Sequence, residues 1–270
     1  MNRSSDPLPD DLALAFEAAR DRLPPLAERV LFFNSTGSTN DVALALAAAG
    51  DAEGLVVLAD EQTAGRGRQG RSWHSPPGSG LCVSIVLRPS RATTGDGRAT
   101  RLVTLAAGVA LAEAVEAVTG LRADIKWPND LLVGRRKLAG ILSESATSDL
   151  AHVVVGYGLN VRVTALPPDV DIRATSLESE LGRLVDKATL CVETIAAVAR
   201  RYRDLVDGRF DAILDAWRER SPSSRGARVS WTTSSGIRSG VTDGIDDQGA
   251  LLVRVADRVE RIVGGELTWL

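Results

Sequence analysis

The sequence predicts an α+β protein: a mixed β-sheet with helices packed on it, followed by a small C-terminal β-barrel. Three observations lead there. Apolar runs of strand length alternate with segments of helical period through the first two-thirds of the chain. Asp130 to Val133 and Leu138 to Ser143 read as strands joined by a turn at Gly134, which puts antiparallel pairing into the sheet. After Ser221-Pro222 the pattern changes to close-spaced strands with glycine turns over fewer than ~60 residues, the habit of a small barrel.

In chain order, Asp10 to Arg22 predicts an amphipathic helix stopped by Pro24-Pro25. Val30 to Phe33 is a strand, and Ser38-Thr39-Asn40-Asp41 opens an alanine-rich helix that stops at Gly50. Leu55 to Ala59 is a buried strand, Thr63 to Gly80 a polar loop rich in glycine and arginine, and Leu81 to Leu87 another apolar strand. Ala99 to Thr119 keeps the helical period and ends at Gly120. Strands are expected at Arg122 to Lys126, at the Gly134 hairpin and at His152 to Val161. Past a Leu166-Pro167-Pro168 loop come helices over Lys187 to Asp207 and Phe210 to Arg220. Ser221 to Ser224 reads as a linker, and Asp246-Asp247-Gln248-Gly249 as a strong turn inside the barrel. The expected division is a helical extension over 1–26, a main domain over 27–222 and a barrel over 223–270.

Composition excludes several classes. A net charge of -3 gives no bulk attraction to nucleic acid or to an anionic membrane, so any anion binding must come from a local basic cluster. Two cysteines, Cys82 and Cys191, and two histidines, His74 and His152, share no ligand-like spacing, so no metal site is expected. The polar, acidic start is unlike a signal peptide, and no apolar run is expected to approach the ~20 residues of a membrane helix. These features together predict a reduced, cytoplasmic protein.

Gly65-Arg66-Gly67-Arg68-Gln69-Gly70 matches the G-x-G-x-x-G of dinucleotide-binding folds, and it follows a strand. The match fails in context. Arg71-Ser72-Trp73-His74-Ser75-Pro76-Pro77-Gly78 cannot propagate a helix, and no acidic residue lies between Glu61 and Asp96 to bind a ribose. What remains is a flexible loop whose arginines can fork onto phosphate or carboxylate. A loop of this length inside a compact domain is more often functional than idle.

Of 32 basic residues only Lys126, Lys137 and Lys187 are lysine. Two of the three fall within Lys126-Trp-Pro-Asn-Asp-Leu-Leu-Val-Gly-Arg-Arg-Lys137-Leu-Ala-Gly-Ile-Leu. A lysine is a compact, rotatable point charge, suited to a single phosphate oxygen or to charge that develops during a reaction.

Together these segments resemble the biotin–protein ligases. The resemblance is carried by Glu61 to Trp73, by Lys126-Trp127-Pro128-Asn129-Asp130 and by Arg136-Lys137-Leu138-Ala139-Gly140-Ile141-Leu142. Gly37-Ser38-Thr39-Asn40, Gly156-Tyr157-Gly158-Leu159-Asn160-Val161 and Ala174-Thr175-Ser176-Leu177 complete an ordered set. Each block alone is moderately specific; their order is highly specific. The resemblance implies a class II synthetase-like catalytic domain with a C-terminal SH3-like barrel. It also implies a two-step reaction: biotin and ATP give biotinyl-5′-AMP, whose acyl group then passes to a lysine of a biotin carboxyl carrier protein domain.

The resemblance further implies roles. Lys137 is the catalytic cation between the biotin carboxyl and the α-phosphate, with Arg66 and Arg68 clamping the adenylate and ordering the loop. Asp130 orients the incoming carrier lysine. Ser38, Thr39, Asn40, Gln62, Gly65 and Gly140 complete the biotin site with Arg66 and Lys137. Arg71, Trp73, Lys126, Asn129 and Asn160 join Arg68 around ATP, with Lys126 and Asn129 facing phosphate directly or through Mg²⁺. Plainer readings remain beside these: Ser38 or Thr39 as a helix N-cap, Asn129-Asp130 as a turn, Trp127 as core.

Two relatives of this chemistry compete. A lipoate–protein ligase shares the fold and the acyl-adenylate, but the run of three glycines and nearby histidine of its loop are not found here. In a bifunctional ligase/repressor a DNA-binding domain precedes the catalytic one, and the stretch before Leu31 is too short for it. The expectation is therefore no DNA and no membrane partner, with monomer and homodimer both open.

Overall fold

The computed structural model describes residues 5–50, 53–92, 97–145, 152–162, 173–233, 236–265 and 267–270. A seven-stranded sheet is built from β1 (Arg29–Thr36), β2 (Leu55–Gln62), β3 (Gly80–Leu87), β4 (Asp124–Lys126), β5 (Asp130–Val133), β6 (Arg136–Ser145) and β7 (Val153–Asn160). Its spatial order is β1-β2-β3-β7-β6-β5-β4. Only β1 and β2 run parallel, because the chain between them crosses over through helix α2 (Thr39–Ala48); the other pairs are antiparallel.

The strand period of two sorts side chains onto the two faces. Val153, Val155, Tyr157 and Leu159 of β7 face the larger core, under α3 (Arg98–Thr119) and α5 (Lys187–Val206). Val154 faces the smaller core with Ala43 and Ala47 of α2. α3 packs on the sheet at Gly108, where a Cβ would make ordinary contact with Ile125 (3.6 Å) and Ile141 (3.7 Å). α3 ends at Gly120 in the left-handed conformation (φ 76°), as its sequence position predicts.

The expectation about apolar runs needs correction. α3 is long and apolar enough to cross a membrane by length and composition. Yet 72% of its most apolar 18 residues is buried inside the protein, against the sheet and α5. It is the central core helix.

Other boundaries shift for local reasons. The first helix, α1 (Asp10–Ala18), stops early and continues as a 3-10 turn over Arg20–Arg22. A short helix, α4 (Leu177–Leu181), was not anticipated; the Ser176 side chain caps it by accepting from Ser179 N. The Leu166-Pro167-Pro168 loop lies outside the described residues.

After α6 (Phe210–Glu219) the chain forms a five-stranded antiparallel sheet: β8 (Arg225–Thr233), β9 (Gly236–Ile245), β10 (Leu251–Val255), β11 (Arg258–Ile262) and β12 (Leu267–Trp269), in the order β11-β10-β9-β8-β12. Ser221 to Ser224 is not a loose linker: Ser221 and Ser224 are buried, and Pro222–Ser224 form one 3-10 turn. The Asp246–Gly249 turn lies flat on α3. Arg98 Nε donates to Asp247 O (2.7 Å), Arg101 Nε to Gln248 Oε1 (2.8 Å) and Trp127 Nε1 to Gly249 O (3.0 Å). Gly249 is left-handed (φ 79°), which favours glycine, and a Cβ there would press on the ends of Leu105 (2.8 Å) and Leu102 (2.9 Å).

Candidate active site

One register row crosses six strands of the large sheet: Ala59, Cys82, Gly158, Gly140, Asp130 and Lys126. Residues in register share a face, so the row runs from small side chains to two charges. Its centre has no side chain at all. Trp73 fills that space: a Cβ on Gly158 would sit 2.1 Å from Trp73 Cε2, and one on Gly140 3.2 Å from Trp73 Cζ3. A cavity of about 160 Å³ opens over this strip, walled by the loop after β2, by residues 126–130 and by Gly265, Leu267 and Trp269 of the C-terminal sheet.

The next row repeats the device. A Cβ on Gly156 would overlap Asn40 Oδ1 at 1.9 Å. Asn40 therefore lies on the sheet, with its amide nitrogen 2.8 Å from Glu144 Oε2 and 3.3 Å from Leu142 O. Ser84, fully buried in the apolar strand β3, stands 2.6 Å from Asn40 Oδ1 and 2.8 Å from Thr39 Oγ1. Its single hydrogen belongs to Asn40 Oδ1, which can only accept. Thr39 Oγ1 then donates to Ser84, and Gln62 Oε1 accepts from Thr39 N (2.8 Å). Ser38 occupies the N-cap position of α2 without a side-chain cap bond, and both Ser38 and Gln62 line the cavity, the Gln62 side chain also bonding Cys82.

The loop from Thr63 to Gly80 is closed on itself rather than splayed. Gly67 N donates to Arg71 O (2.6 Å) and Trp73 N to Gly65 O (2.8 Å), while Gln69 takes a left-handed turn (φ 57°). Gly65 does not line the cavity; a Cβ there would meet Trp73 O at 2.5 Å. Arg66 forks onto Glu144, with Nη1 3.0 Å from Oε1 and Nη2 2.9 Å from Oε2, and Nη2 also lies 2.5 Å from Asp41 Oδ1. Arg68 reaches inward to Asn129 Oδ1 (3.3 Å); burial lowers its pKa, against the field of Asp130. Arg71 lines the cavity from the exposed side.

At the charged end, Lys137 Nζ lies 2.6 Å from Asp130 Oδ1 and 5.6 Å from the centre of the Trp73 ring. Gly140 gives it room, for a Cβ there would be 3.0 Å from Nζ. Lys126 stands 5.6 Å over the Trp269 ring. Burial depresses its pKa, Asp130 opposes the shift, and Lys137 and Arg71 add to it. Such a site holds several cationic donors in partial dryness around one carboxylate, the arrangement that offsets repulsion when two anions are brought together.

Comparison with known proteins then decides the family. The biotin/lipoate A/B protein ligase family matches residues 32–160. The biotin–[acetyl-CoA-carboxylase] ligase of Mycobacterium tuberculosis is 35% identical over 93% of this chain and 98% of its own length. The chain belongs to the biotin–protein ligases. The ligase of the same description from Paracoccus denitrificans is 37% identical over 81% of this chain and 91% of its own length. The bifunctional ligase/repressor BirA of Bacillus subtilis is 33% identical over 90% of this chain and 74% of its own length. Among solved structures, the Aquifex aeolicus biotin protein ligase in complex with biotin and ATP superposes with a TM-score of 0.78, at 24% identity, over 90% of this chain and 99% of that one. At that identity the likeness is one of fold.

For a biotin–protein ligase, most sequence-predicted site residues converge on one cavity: Ser38, Thr39, Asn40, Gln62, Arg66, Arg68, Arg71, Trp73, Lys126, Asn129, Asp130, Lys137 and Gly140 all line it. Asn160 does not. Its amide nitrogen donates to Thr175 O (3.0 Å) and Lys137 O (3.5 Å), tying the end of β7 to the start of β6. Asn129 faces the cavity, with one amide N–H donated to Ile141 O (2.8 Å) and its Oδ1 accepting from Arg68 (3.3 Å). Tyr157 turns to the helix layer, where its hydroxyl meets Thr194 Oγ1 (2.8 Å) and burial raises its pKa. Trp127 is buried core, as its plainer reading held.

Sequence reasoning missed Ser84, Glu144, Asp41 and Trp269. One signal for Ser84 was present: a lone hydroxyl in the run Leu81 to Leu87 needs a partner once buried. Trp269 gave none, since its place depends on how the two sheets meet. Among the described residues, no group of three His, Cys, Asp or Glu side chains could hold a metal ion.

Proposed function

We propose that the chain is an ATP-dependent biotin–protein ligase that biotinylates a lysine of a biotin carboxyl carrier protein domain. The observation that carries this reading is the Gly158–Gly140 strip under Trp73, ending at Lys137, Asp130 and Lys126. Trp73 lies on this strip, so an uncharged tail would run along the indole, and its terminal carboxylate then meets cations.

In the first step a biotin carboxylate oxygen attacks the α-phosphorus and the bond to pyrophosphate breaks. Lys137 sits beside the reacting oxygens; Arg68 and Lys126 balance the phosphate charge. In the second step the carrier amine attacks the acyl carbon, AMP leaves, and the nitrogen gives up a proton. Asp130 is the carboxylate in reach of that amine, and it orients it as much as it deprotonates it. Thr39, Gln62 and Ser38 supply the donors and acceptors that a ureido ring requires. Mg²⁺ belongs to this reading as the counter-ion that would arrive with ATP and offset its phosphate charge. The reaction is placed in the cytoplasm, where the free thiols Cys82 and Cys191 would persist.

Pyrophosphate release and streptavidin detection test the reading together. Biotin with ATP is expected to release pyrophosphate, and added carrier domain to become streptavidin-reactive. Release with lipoate alone would overturn it in favour of a lipoate ligase.

A further inference from the structure

We infer that Glu144 is the positioning residue for Arg66, and that the buried chain Ser84–Asn40–Glu144 ties Thr39 and Gln62 to the arginine loop. The inference rests on the ligase reading above and concerns how its biotin site is held together. It assigns Arg66 as the loop's anchor rather than as a cation for the substrate anions.

Charge balance argues this first. Arg66 faces two carboxylates, Glu144 and Asp41, so its end of the cavity carries no surplus positive charge. Lys126, Lys137 and Arg68 surround the single Asp130 at the other end, where an anion gains most. To reach an anion there, Arg66 would have to leave both carboxylates.

The geometry behind Glu144 argues it next. An exposed ion pair is worth little, and the Arg66 side chain is 41% exposed. Glu144, however, is 25% exposed and also accepts from Asn40, whose amide is seated on Gly156 with no room to turn. Asn40 is held in turn by Ser84, whose oxygen accepts from Thr39 Oγ1, and Thr39 N donates to Gln62 Oε1. An unbroken line of hydrogen bonds thus runs from the ring-recognising pair to the loop. Ligand that fixes Thr39 and Gln62 fixes the loop's anchor with them.

The test is a double-mutant cycle on the full chain, read as pyrophosphate release with biotin and ATP varied separately. Glu144→Gln and Arg66→Gln are each expected to raise the biotin KM about tenfold and to leave the ATP KM within about twofold, with the double variant no worse than the poorer single. Arg66→Lys keeps the charge but loses the fork, and is expected to match Arg66→Gln. Ser84→Ala is expected to move the biotin KM in the same direction. Additive losses, a raised ATP KM, or full rescue by Arg66→Lys would overturn the assignment. Wild-type protein that releases no pyrophosphate with biotin would instead count against the ligase reading itself.

Discussion

Lys137 Nζ and Asp130 Oδ1 lie 2.6 Å apart across the β5–β6 hairpin, at the charged end of a strip that carries no side chains. In the reaction proposed above the pair would join the two half-reactions: Lys137 would serve the carboxylate of biotin while holding Asp130, and Asp130 would then orient the carrier amine.

Lys137→Ala should therefore abolish the first half-reaction selectively. Removing one preorganised donor from a site of this kind lowers turnover by roughly 10²–10³. Pyrophosphate release should fall by that order with the circular dichroism spectrum intact. Retained adenylation would show that the site binds ligand without using this lysine.

The glycine strip makes a sharper structural prediction. Gly158→Ala places a Cβ 2.1 Å from an aromatic carbon, so Trp73 must lift and the loop with it. Activity should be lost while the fold survives. Tyr157→Phe, one residue away but facing the helices, should cost about 1 kcal/mol through the lost bond to Thr194 and leave turnover unchanged. Thermal unfolding and steady-state rates on the two variants separate the faces; equal effects on rate would refute the assignment.

Alkaline pH should act on Lys126. Its pKa is lowered by burial from the ordinary 10.5, so the unfolded chain binds the proton over a window where the folded chain has released it. Stability contributed by this group therefore rises as pH climbs through that window, because the cost of burying the charge is relieved. Phosphate affinity runs the other way. The ATP KM should begin to rise at a pH below 10.5, and Lys126→Arg should flatten the profile. Identical profiles would remove Lys126 from the phosphate side.

Cys82 offers a control on the same face. Burial pushes its thiol up to about 11 from 9.0, so over that interval the folded chain keeps a proton that the unfolded one gives up. Stability from this group is present below pH 9 and lost as pH rises through 11. A thiol reagent at pH 8 should modify neither cysteine until the protein is unfolded. Rapid labelling of native protein would show that the sheet opens there.

Much of this was legible in the sequence, for identifiable reasons. Strands and helices followed from period and punctuation, as Gly120 and Gly134 show. The site's residues were legible because they sit in contiguous blocks. Their partners were not. Glu144 and Asp41 meet at Arg66 only because α2 lies across β6 and β7, and Trp269 meets Lys126 only because the second sheet docks on α3. Asn160 was placed with ATP because its block is; its bonds to Thr175 and Lys137 arise from a chain return that spacing does not reveal. The loop's hairpin closure was likewise hidden, since Gly65 to Trp73 reads locally as flexible.

A floor made of absent side chains also limits what variation can do here. Residues 140, 156 and 158 are already the smallest possible, so no substitution at these positions can admit a bulkier acid. Tolerance for larger analogues has to come from the roof, at Trp73 and the arginine loop, or from the far wall at Trp269. The same rule gives the direction of change in any redesign: selectivity tightens from below and loosens from the roof or the far wall.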